Sequence, residues 1–192
     1  EGKTTIALNL AVALAESGKQ VLVIDSDLRR PAVHSFTGEK KRPGIGDLFY
    51  GDEELKNAIH STVAPGVDVL TSGRSIPNPS AVMQSSKMRG LIESLKKNYD
   101  HVIVDTPPFG VITDAAAMLK MADAVVVVAK FGNTETNELN HTLENLNRIR
   151  ANVIGTVLTA FDYQESADYY YSGRYGYYDT YQAYEAYQEE EA

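Results

Sequence analysis

Residues 21–31, Val-Leu-Val-Ile-Asp-Ser-Asp-Leu-Arg-Arg-Pro (VLVIDSDLRRP), give the clearest indication of the fold. Four successive apolar residues predict a strand covered on both faces, as in a parallel sheet. Asp25 and Asp27 follow at its carboxyl end, where open α/β sheets bind their ligands. Because residues two apart on an extended chain share a face, both carboxylates can address one magnesium–nucleotide complex. The alternative interpretation is a solvated turn after a strand.

Four other segments have the same short, β-branched character and alternate with helical patterns. The predicted strands are residues 67–70, 101–105, 124–130 and 153–159, and the predicted helices are residues 4–17, 52–60, 79–97 and 135–150. Asn78 before Pro79 is typical of a helix start, and Gly18 of a helix end. The alternation predicts an α/β fold, a doubly wound and mostly parallel sheet between two helical layers.

The chain opens Glu1-Gly2-Lys3-Thr4-Thr5, directly before a predicted helix. This matches the end of a phosphate-binding loop, G-x-x-x-x-G-K-[ST]. Gly2 lets the backbone approach a phosphate, Lys3 reaches the β- and γ-phosphates, and the Thr4 hydroxyl is offered to Mg²⁺. The first half of the loop and the strand that feeds it are absent from the sequence. We therefore expect either a fragment or a true start that lies upstream.

A second buried strand also ends in an acid, in the run Val102-Ile103-Val104-Asp105-Thr106-Pro107-Pro108. This is a Walker B arrangement, which predicts Asp105 near the metal, directly or through water. It weakens the solvated-turn interpretation of Asp25 and Asp27. Asp114 follows at a predicted helix start, and we favour helix capping over catalysis for it.

Composition excludes several classes of chemistry. The 192 residues are 43% hydrophobic and 23% charged, as in an ordinary soluble domain. The absence of cysteine excludes disulfides, thiolate catalysis and iron–sulfur clusters. The four histidines are scattered without metal-ligand spacing. The net charge of −8 argues against nucleic acid as a partner. The longest apolar run, 124–129, is too short to cross a bilayer, and we see no secretion leader.

The last 30 residues have a different composition. Ten of the 12 tyrosines lie between Tyr163 and Tyr187, and the segment 163–192 carries a charge of −6. Aliphatic residues are nearly missing there, so we predict two regions, a domain at 1–162 and a flexible low-complexity tail at 163–192. The alternative for 180–191 is a helix with a tyrosine stripe that docks on a partner.

Together these motifs resemble the bacterial tyrosine kinases (BY-kinases), a P-loop NTPase family that regulates capsule and exopolysaccharide synthesis. Gly2-Lys3-Thr4-Thr5 is similar to the end of their Walker A loop, residues 25–31 to their Walker A′ motif, and Asp105-Thr106-Pro107-Pro108 to their Walker B motif. Residues 72–80 resemble a family loop and helix start. The tyrosine-rich terminus is the fifth shared feature.

The resemblance implies ATP and Mg²⁺ as cofactors and transfer of a phosphoryl group to tyrosine. Lys3, with Gly2, Thr4 and Thr5, would hold the phosphates. Thr4, Asp27 and Asp105 would face the magnesium ion, and Asp25 would accept or orient the tyrosine proton. The implied phosphoacceptors are Tyr169, Tyr170, Tyr171, Tyr175, Tyr177, Tyr178, Tyr181, Tyr184 and Tyr187.

The resemblance also implies partners and a location. These are a membrane adaptor of the polysaccharide co-polymerase type, other copies of the chain in a ring that forms when unphosphorylated, and a tyrosine phosphatase. The expected place is the cytoplasmic face of the cell membrane, reached through the adaptor. The family's ring-forming helix lies upstream of this sequence. Many relatives have an asparagine near the adenine where this chain has Thr159.

Two rival functions remain open. One is an ATPase of the type that positions chromosomes or division septa, which usually continues the motif after the second acid as Asp-Pro-Gln. Here the continuation is Asp27-Leu28-Arg29. The other is a non-catalytic module with a docking tail. The combination of Lys3, Asp25, Asp27 and Asp105 argues against it, because a scaffold needs no magnesium site.

Overall fold

The computed structural model describes residues 1–108, 118–119 and 121–161. Contacts divide the chain into two units, Glu1–Thr159 and Ala160–Ala192. Of the second unit, only Ala160 and Phe161 belong to the described residues. The segment 163–192 lies outside them, so the flexible tail, its helical alternative and the domain boundary after residue 162 remain predictions.

Helices and strands alternate along the described chain. The helices are α1 (Lys3–Glu16), α2 (Val33–Thr37), α3 (Ile45–Tyr50), α4 (Leu55–Ala58), α5 (Pro79–Met83), α6 (Ser86–Leu95) and α7 (Thr136–Arg148). The strands are β1 (Val21–Asp25), β2 (Ile59–Ser61), β3 (Val67–Leu70), β4 (His101–Asp105), β5 (Val125–Lys130) and β6 (Val153–Thr159). Met118 and Leu119 are also helical. Of the helices that are described, none has the length and apolar character to span a bilayer.

The strand pairing confirms the predicted, mostly parallel sheet. Four strands are ordered β2-β3-β1-β4, and β1 pairs in parallel with both β3 and β4. The short β2 runs antiparallel to β3, and β5 and β6 pair in parallel with each other as a second, two-stranded sheet. Asp25 at the end of β1 lies opposite Asp105 at the end of β4. The register therefore brings the two strand-end acids to the same edge of the sheet.

Both faces of β1 are buried, as its unbroken apolar sequence predicts. Leu22 and Ile24 belong to one core cluster, which includes the buried residues of α6. Val21 and Val23 belong to a second cluster, which includes Ala11 of α1. Burying each such side chain contributes about 1.5–3 kcal/mol, so both helical layers hold the central strand. This is the expected three-layer α/β/α arrangement.

Two predicted helices differ from the structure. The single helix at 79–97 is wrong, because α5 ends at Met83 and α6 begins at Ser86. The Ser85 side chain accepts a hydrogen bond from the Met88 N–H (3.1 Å) and so caps a new helix. The predicted helix at 52–60 is also wrong, since only residues 55–58 are helical there, as α4. The last two residues of the predicted helix, Ile59 and His60, belong to β2.

The predicted helix start at Asn78 is confirmed. The Asn78 side chain accepts a hydrogen bond from the Ala81 N–H (3.2 Å), and Pro79 is the first helical residue. Helices α2 and α3 were not predicted, since each is only one or two turns long.

Candidate active site

The carboxyl ends of β1 and β4 form the floor of the candidate site. Ser26 follows β1 and donates two hydrogen bonds to the Asp105 carbonyl oxygen, from its N–H (2.9 Å) and from its Oγ (2.6 Å). Ser26 is buried, so both bonds form away from water. They join the two strands at the residues where the acids lie. The relative position of Asp25 and Asp105 is therefore fixed by the backbone.

The start of α1 joins this floor through Thr4. The Thr4 Oγ1 donates a hydrogen bond of 2.6 Å to Asp105 Oδ2. Gly2, at the N-cap of α1, has a φ of 90°, a left-handed conformation that glycine adopts without strain. The Lys3 ammonium forms an ion pair with the Glu1 carboxylate. The remnant of the phosphate loop and the Walker B acid are thus in direct contact.

One cavity of about 370 Å³ is lined by all of the predicted phosphate- and magnesium-binding residues. Its polar walls come from the N-terminus of α1 and from the segments that follow β1 and β4, which is the expected place for a ligand of an open α/β sheet. The lining residues are Glu1, Gly2, Lys3, Thr4, Thr5, Asp27, Arg30, Phe36, Asp105, Thr106 and Pro108. Asp25 does not line it.

Asp25 is fully buried and only half of its carboxylate is hydrogen-bonded. Its Oδ2 accepts hydrogen bonds from the N–H groups of Ala32 and Val33, each 3.1 Å long. Its Oδ1 is buried and has no partner among the described residues. Burial raises the pKa of Asp25 to about 7, and the charge of Asp105 adds to the rise, although the two backbone hydrogen bonds oppose it. Its charge is therefore poorly compensated.

The other two acids have different surroundings. Burial raises the pKa of Asp105 above its ordinary value, against the hydrogen bond from Thr4 and the charge of Lys3. Asp27 is half-buried, and its Oδ1 accepts hydrogen bonds from the N–H groups of Arg29 (3.2 Å) and Arg30 (2.9 Å). These bonds hold the Walker A′ turn against the cavity.

The donor set fits a magnesium–nucleotide site better than a metal site made by protein alone. Over the described ranges, no three His, Cys, Asp or Glu side chains come together as a metal-binding group. Thr4, Asp27 and Asp105 offer one hydroxyl and two carboxylates around one cavity. Mg²⁺ usually takes one or two carboxylates and completes its shell with phosphate oxygens and water. These three residues could therefore hold the ion when a nucleotide is bound.

Several residues at the site were not predicted from the sequence. Arg30 and Phe36 line the cavity, and Ser26 joins the strands below it. Thr159 at the end of β6 donates a hydrogen bond of 2.7 Å to the Glu1 carbonyl oxygen. The Walker A′ match covers Arg30, but no sequence signal places Phe36 at the cavity. The nine candidate phosphoacceptor tyrosines and Asp114 lie outside the described residues.

Comparisons with known proteins place this site in a family. A sequence model of the AAA domain family matches residues 1–158. The chain is 37% identical over 169 residues to the tyrosine-protein kinase ptk of Acinetobacter johnsonii, covering 88% of this chain and 23% of that protein. It is 34% identical over 171 residues to the tyrosine-protein kinase YwqD of Bacillus subtilis, covering 89% of this chain and 72% of that protein. The chain thus spans less than a quarter of the first relative.

Solved structures agree with the sequence comparisons. The kinase domain of Escherichia coli tyrosine kinase ETK superposes with a TM-score of 0.77 at 32% identity, over 92% of this chain and 68% of that chain. The septum site-determining protein MinD of Pyrococcus horikoshii, solved with Mg-ADP, superposes with a TM-score of 0.69 at 26% identity, over 87% of this chain and 71% of that chain.

The fold and the convergence of Lys3, Thr4 and Asp105 define a P-loop NTPase-like α/β protein. The sequence matches are more specific, and they show that the chain belongs to the bacterial tyrosine-protein kinase family.

Proposed function

We propose that the protein is an ATP-dependent protein tyrosine kinase that phosphorylates the tyrosines of its own segment 163–192. The observation that carries this proposal is the hydrogen bond from Thr4 to Asp105 in a cavity shared with Lys3 and Asp27. In the reaction, the bond between the γ-phosphorus of ATP and the β–γ bridging oxygen breaks, and that oxygen stays with ADP. The tyrosine oxygen bonds to phosphorus, ADP leaves, and the phenolic proton passes to a base.

Lys3 and the backbone at the start of α1 would bind the phosphates. The Lys3 ammonium has to exchange the Glu1 carboxylate for phosphate oxygens, which compete well because they carry more charge. The N–H groups at the start of a helix add partial positive charge at the same place. Thr4, Asp27 and Asp105 would hold Mg²⁺, which neutralises charge on the transferring phosphoryl group.

Asp25 is our candidate to accept or orient the tyrosine proton. Its Oδ1 has no partner in the part of the chain that the structure describes, whereas its Oδ2 accepts hydrogen bonds from the start of α2. Because the side chain has no exposed surface, the strand end has to open for an acceptor hydroxyl to reach Oδ1. Proton transfer late in a loose transition state requires only a weak base.

Family membership also supports proposals about the cell. We propose that the protein acts in capsule or exopolysaccharide synthesis and works beside a membrane adaptor of the polysaccharide co-polymerase type. The adaptor would keep it at the inner face of the membrane. Unphosphorylated copies would assemble in a ring, and a tyrosine phosphatase would reverse the modification. The net charge of −8 gives no support to a nucleic-acid partner.

The likeness to MinD keeps a positioning ATPase as the second candidate. Full-length protein incubated with Mg-ATP separates the two. Mass spectrometry would map phosphotyrosine while a coupled assay follows inorganic phosphate. A kinase accumulates phosphotyrosine at positions 169–187 with little free phosphate. Steady phosphate release with unmodified tyrosines would establish the ATPase instead.

A further inference from the structure

One large apolar side chain is exposed at a cavity that is lined mainly by polar and charged residues. Phe36 lies in α2 and is 60% exposed, although Val33 of the same helix is completely buried. Its ring lines the cavity that also contains Lys3 and Asp105. Leaving a phenyl ring in water forgoes the free energy of burying it. A ligand that covers the ring would recover that free energy.

The position of Phe36 is fixed by the acid at the end of β1. The Asp25 carboxylate accepts hydrogen bonds from the Ala32 and Val33 N–H groups, which begin α2. One turn later, the Phe36 N–H donates to the Ala32 carbonyl oxygen (3.2 Å). The backbone of Phe36 is therefore held by the same strand end that carries the candidate catalytic acids.

A cation lines the same cavity. Arg30 lines the cavity, and its backbone N–H is bound by Asp27 (2.9 Å). Its side chain is exposed, and across the described part of the chain its guanidinium makes no hydrogen bond or ion pair. A cavity lined by both an aromatic ring and a guanidinium suits an aromatic group with a neighbouring negative charge.

The segment 163–192 supplies that chemistry. It contains ten tyrosines and seven acids against one arginine. Acids are direct neighbours of several tyrosines, as in Asp168-Tyr169, Tyr178-Asp179 and Tyr184-Glu185. We propose that Phe36 and Arg30 form the acceptor subsite of the kinase, in which Phe36 packs on the ring of the incoming tyrosine and Arg30 pairs with the adjacent carboxylate.

This inference rests on the proposed kinase function, and it assigns residues that select the acceptor. The subsite adds no chemical step, because the phosphoryl transfer is the one already described. It predicts that tyrosines flanked by acids are preferred over isolated ones. It also predicts that substitutions at Phe36 weaken binding of the acceptor peptide, whereas substitutions in the phosphate loop weaken binding of the nucleotide.

The test uses full-length protein and a synthetic peptide with the sequence of residues 177–187. Phe36→Ala should raise the KM for the peptide about tenfold, from the lost ring contact, and should leave the KM for ATP within about twofold. Phe36→Tyr should restore it. Arg30→Ala should raise the peptide KM about fivefold. The difference in peptide KM between Arg30→Ala and wild type should vanish when the peptide carries Asp179→Asn and Glu185→Gln.

Val63→Ala and Arg89→Ala are the matched controls, since Val63 is 93% exposed and neither residue lines the cavity. Both should behave as wild type. Circular dichroism and thermal melting would establish that every variant is folded. A folded Phe36→Ala protein with an unchanged peptide KM overturns the subsite. So does an equal rise of the ATP KM in Arg30→Ala, which would make Arg30 a nucleotide ligand.

A binding measurement separates this proposal from the proposed function. Fluorescence anisotropy of the labelled peptide with Mg-ADP and the protein requires no turnover. If wild type forms no phosphotyrosine but binds the peptide, and Phe36→Ala weakens that binding about tenfold, the kinase assignment fails and the subsite stands. If wild type does not bind the peptide, or if Phe36→Ala binds it as tightly, the subsite fails.

Discussion

Among the described residues, Asp25 and Asp47 are fully buried, and the two carboxylates are paired very differently. Asp47 in α3 accepts hydrogen bonds from the Arg42 Nε (2.9 Å), the Gly44 N–H (3.0 Å) and the Arg74 N–H (3.1 Å). An ion pair with the Arg42 guanidinium (2.6 Å) adds to them. Within the described ranges, Asp25 has two backbone N–H partners, both on Oδ2, and its Oδ1 has none. Both oxygens of Asp47 are therefore paired, but only one oxygen of Asp25 is.

The pKa values of the two acids differ in the same sense. Burial alone would raise the pKa of Asp47, but the bonds from Arg42, Gly44 and Arg74 outweigh it, so the pKa lies below its ordinary value. For Asp25, burial dominates and raises the pKa to about 7. A fully paired buried acid serves the fold, whereas an incompletely paired one at a ligand edge indicates a functional group. Asp47 joins two loops, and Asp25 lies beneath the candidate active site.

The largest effect on activity is expected at the candidate active site. Lys3→Met should lower phosphotyrosine formation by about a hundredfold or more, since it removes the cation that we propose binds the phosphates of ATP. Its melting temperature should stay within about 2 °C of wild type, because the ion pair of Lys3 with Glu1 is exposed and such pairs add little stability. Lys19→Met, at an exposed lysine that does not line the cavity, is the control. Near-normal autophosphorylation in folded Lys3→Met protein would remove the assignment of this site.

The Asp47 region should respond in the opposite way. Asp47→Asn should destabilise the protein by about 2–4 kcal/mol, because it leaves Arg42 and buried N–H groups poorly paired. Once folded, the variant should keep its rate of phosphotyrosine formation within about threefold, a change smaller than that expected at any strand-end acid. Urea unfolding and initial rates would check both. A variant as stable as wild type would show that the Asp47 hydrogen bonds add nothing net.

A smaller effect is expected at Thr4. Thr4→Val keeps the shape but removes the hydroxyl that bonds to Asp105, and we expect about a tenfold lower kcat and a higher requirement for Mg²⁺. Thr4→Ser should be close to wild type. Magnesium titrations of the initial rate would measure this. Equal activity of the Val and Ser variants would show that the hydroxyl has no part in the reaction.

The smallest effect is the pH dependence of stability in magnesium-free buffer. With its lowered pKa, Asp47 contributes stability above about pH 4 that is lost as the pH falls through that region. With its raised pKa, Asp25 contributes stability that is complete below about pH 4 and lost as the pH rises towards 7. Comparing Asp47→Asn and Asp25→Asn with wild type by urea unfolding should give curves that slope in opposite directions. Parallel curves would contradict the comparison.

Much of this organisation could be predicted from the sequence, because continuous apolar runs and strand-end acids are local signals. All five predicted strands are present, and Gly2, Lys3, Thr4, Asp27 and Asp105 meet at one cavity. The break between α5 and α6 was missed because the sequence on both sides of Ser85 is compatible with one continuous helix. It is the Ser85 side chain, as an N-cap, that starts a new helix there. The position of Phe36 was missed because it depends on the folding of α2 onto Asp25, a contact with no sequence pattern.

The most direct test of the central claim is a paired measurement on Asp25→Asn at pH 8. Burying the Asp25 charge costs about 4 kcal/mol there, since its pKa is raised by about three units. Asn at this position removes that cost, but its buried amide N–H has no acceptor, which destabilises the variant by about 1–3 kcal/mol. We predict a net gain of about 1–3 kcal/mol in the free energy of unfolding together with about a hundredfold loss of phosphotyrosine formation. A variant that is less stable than wild type and still forms phosphotyrosine at the normal rate would contradict the account.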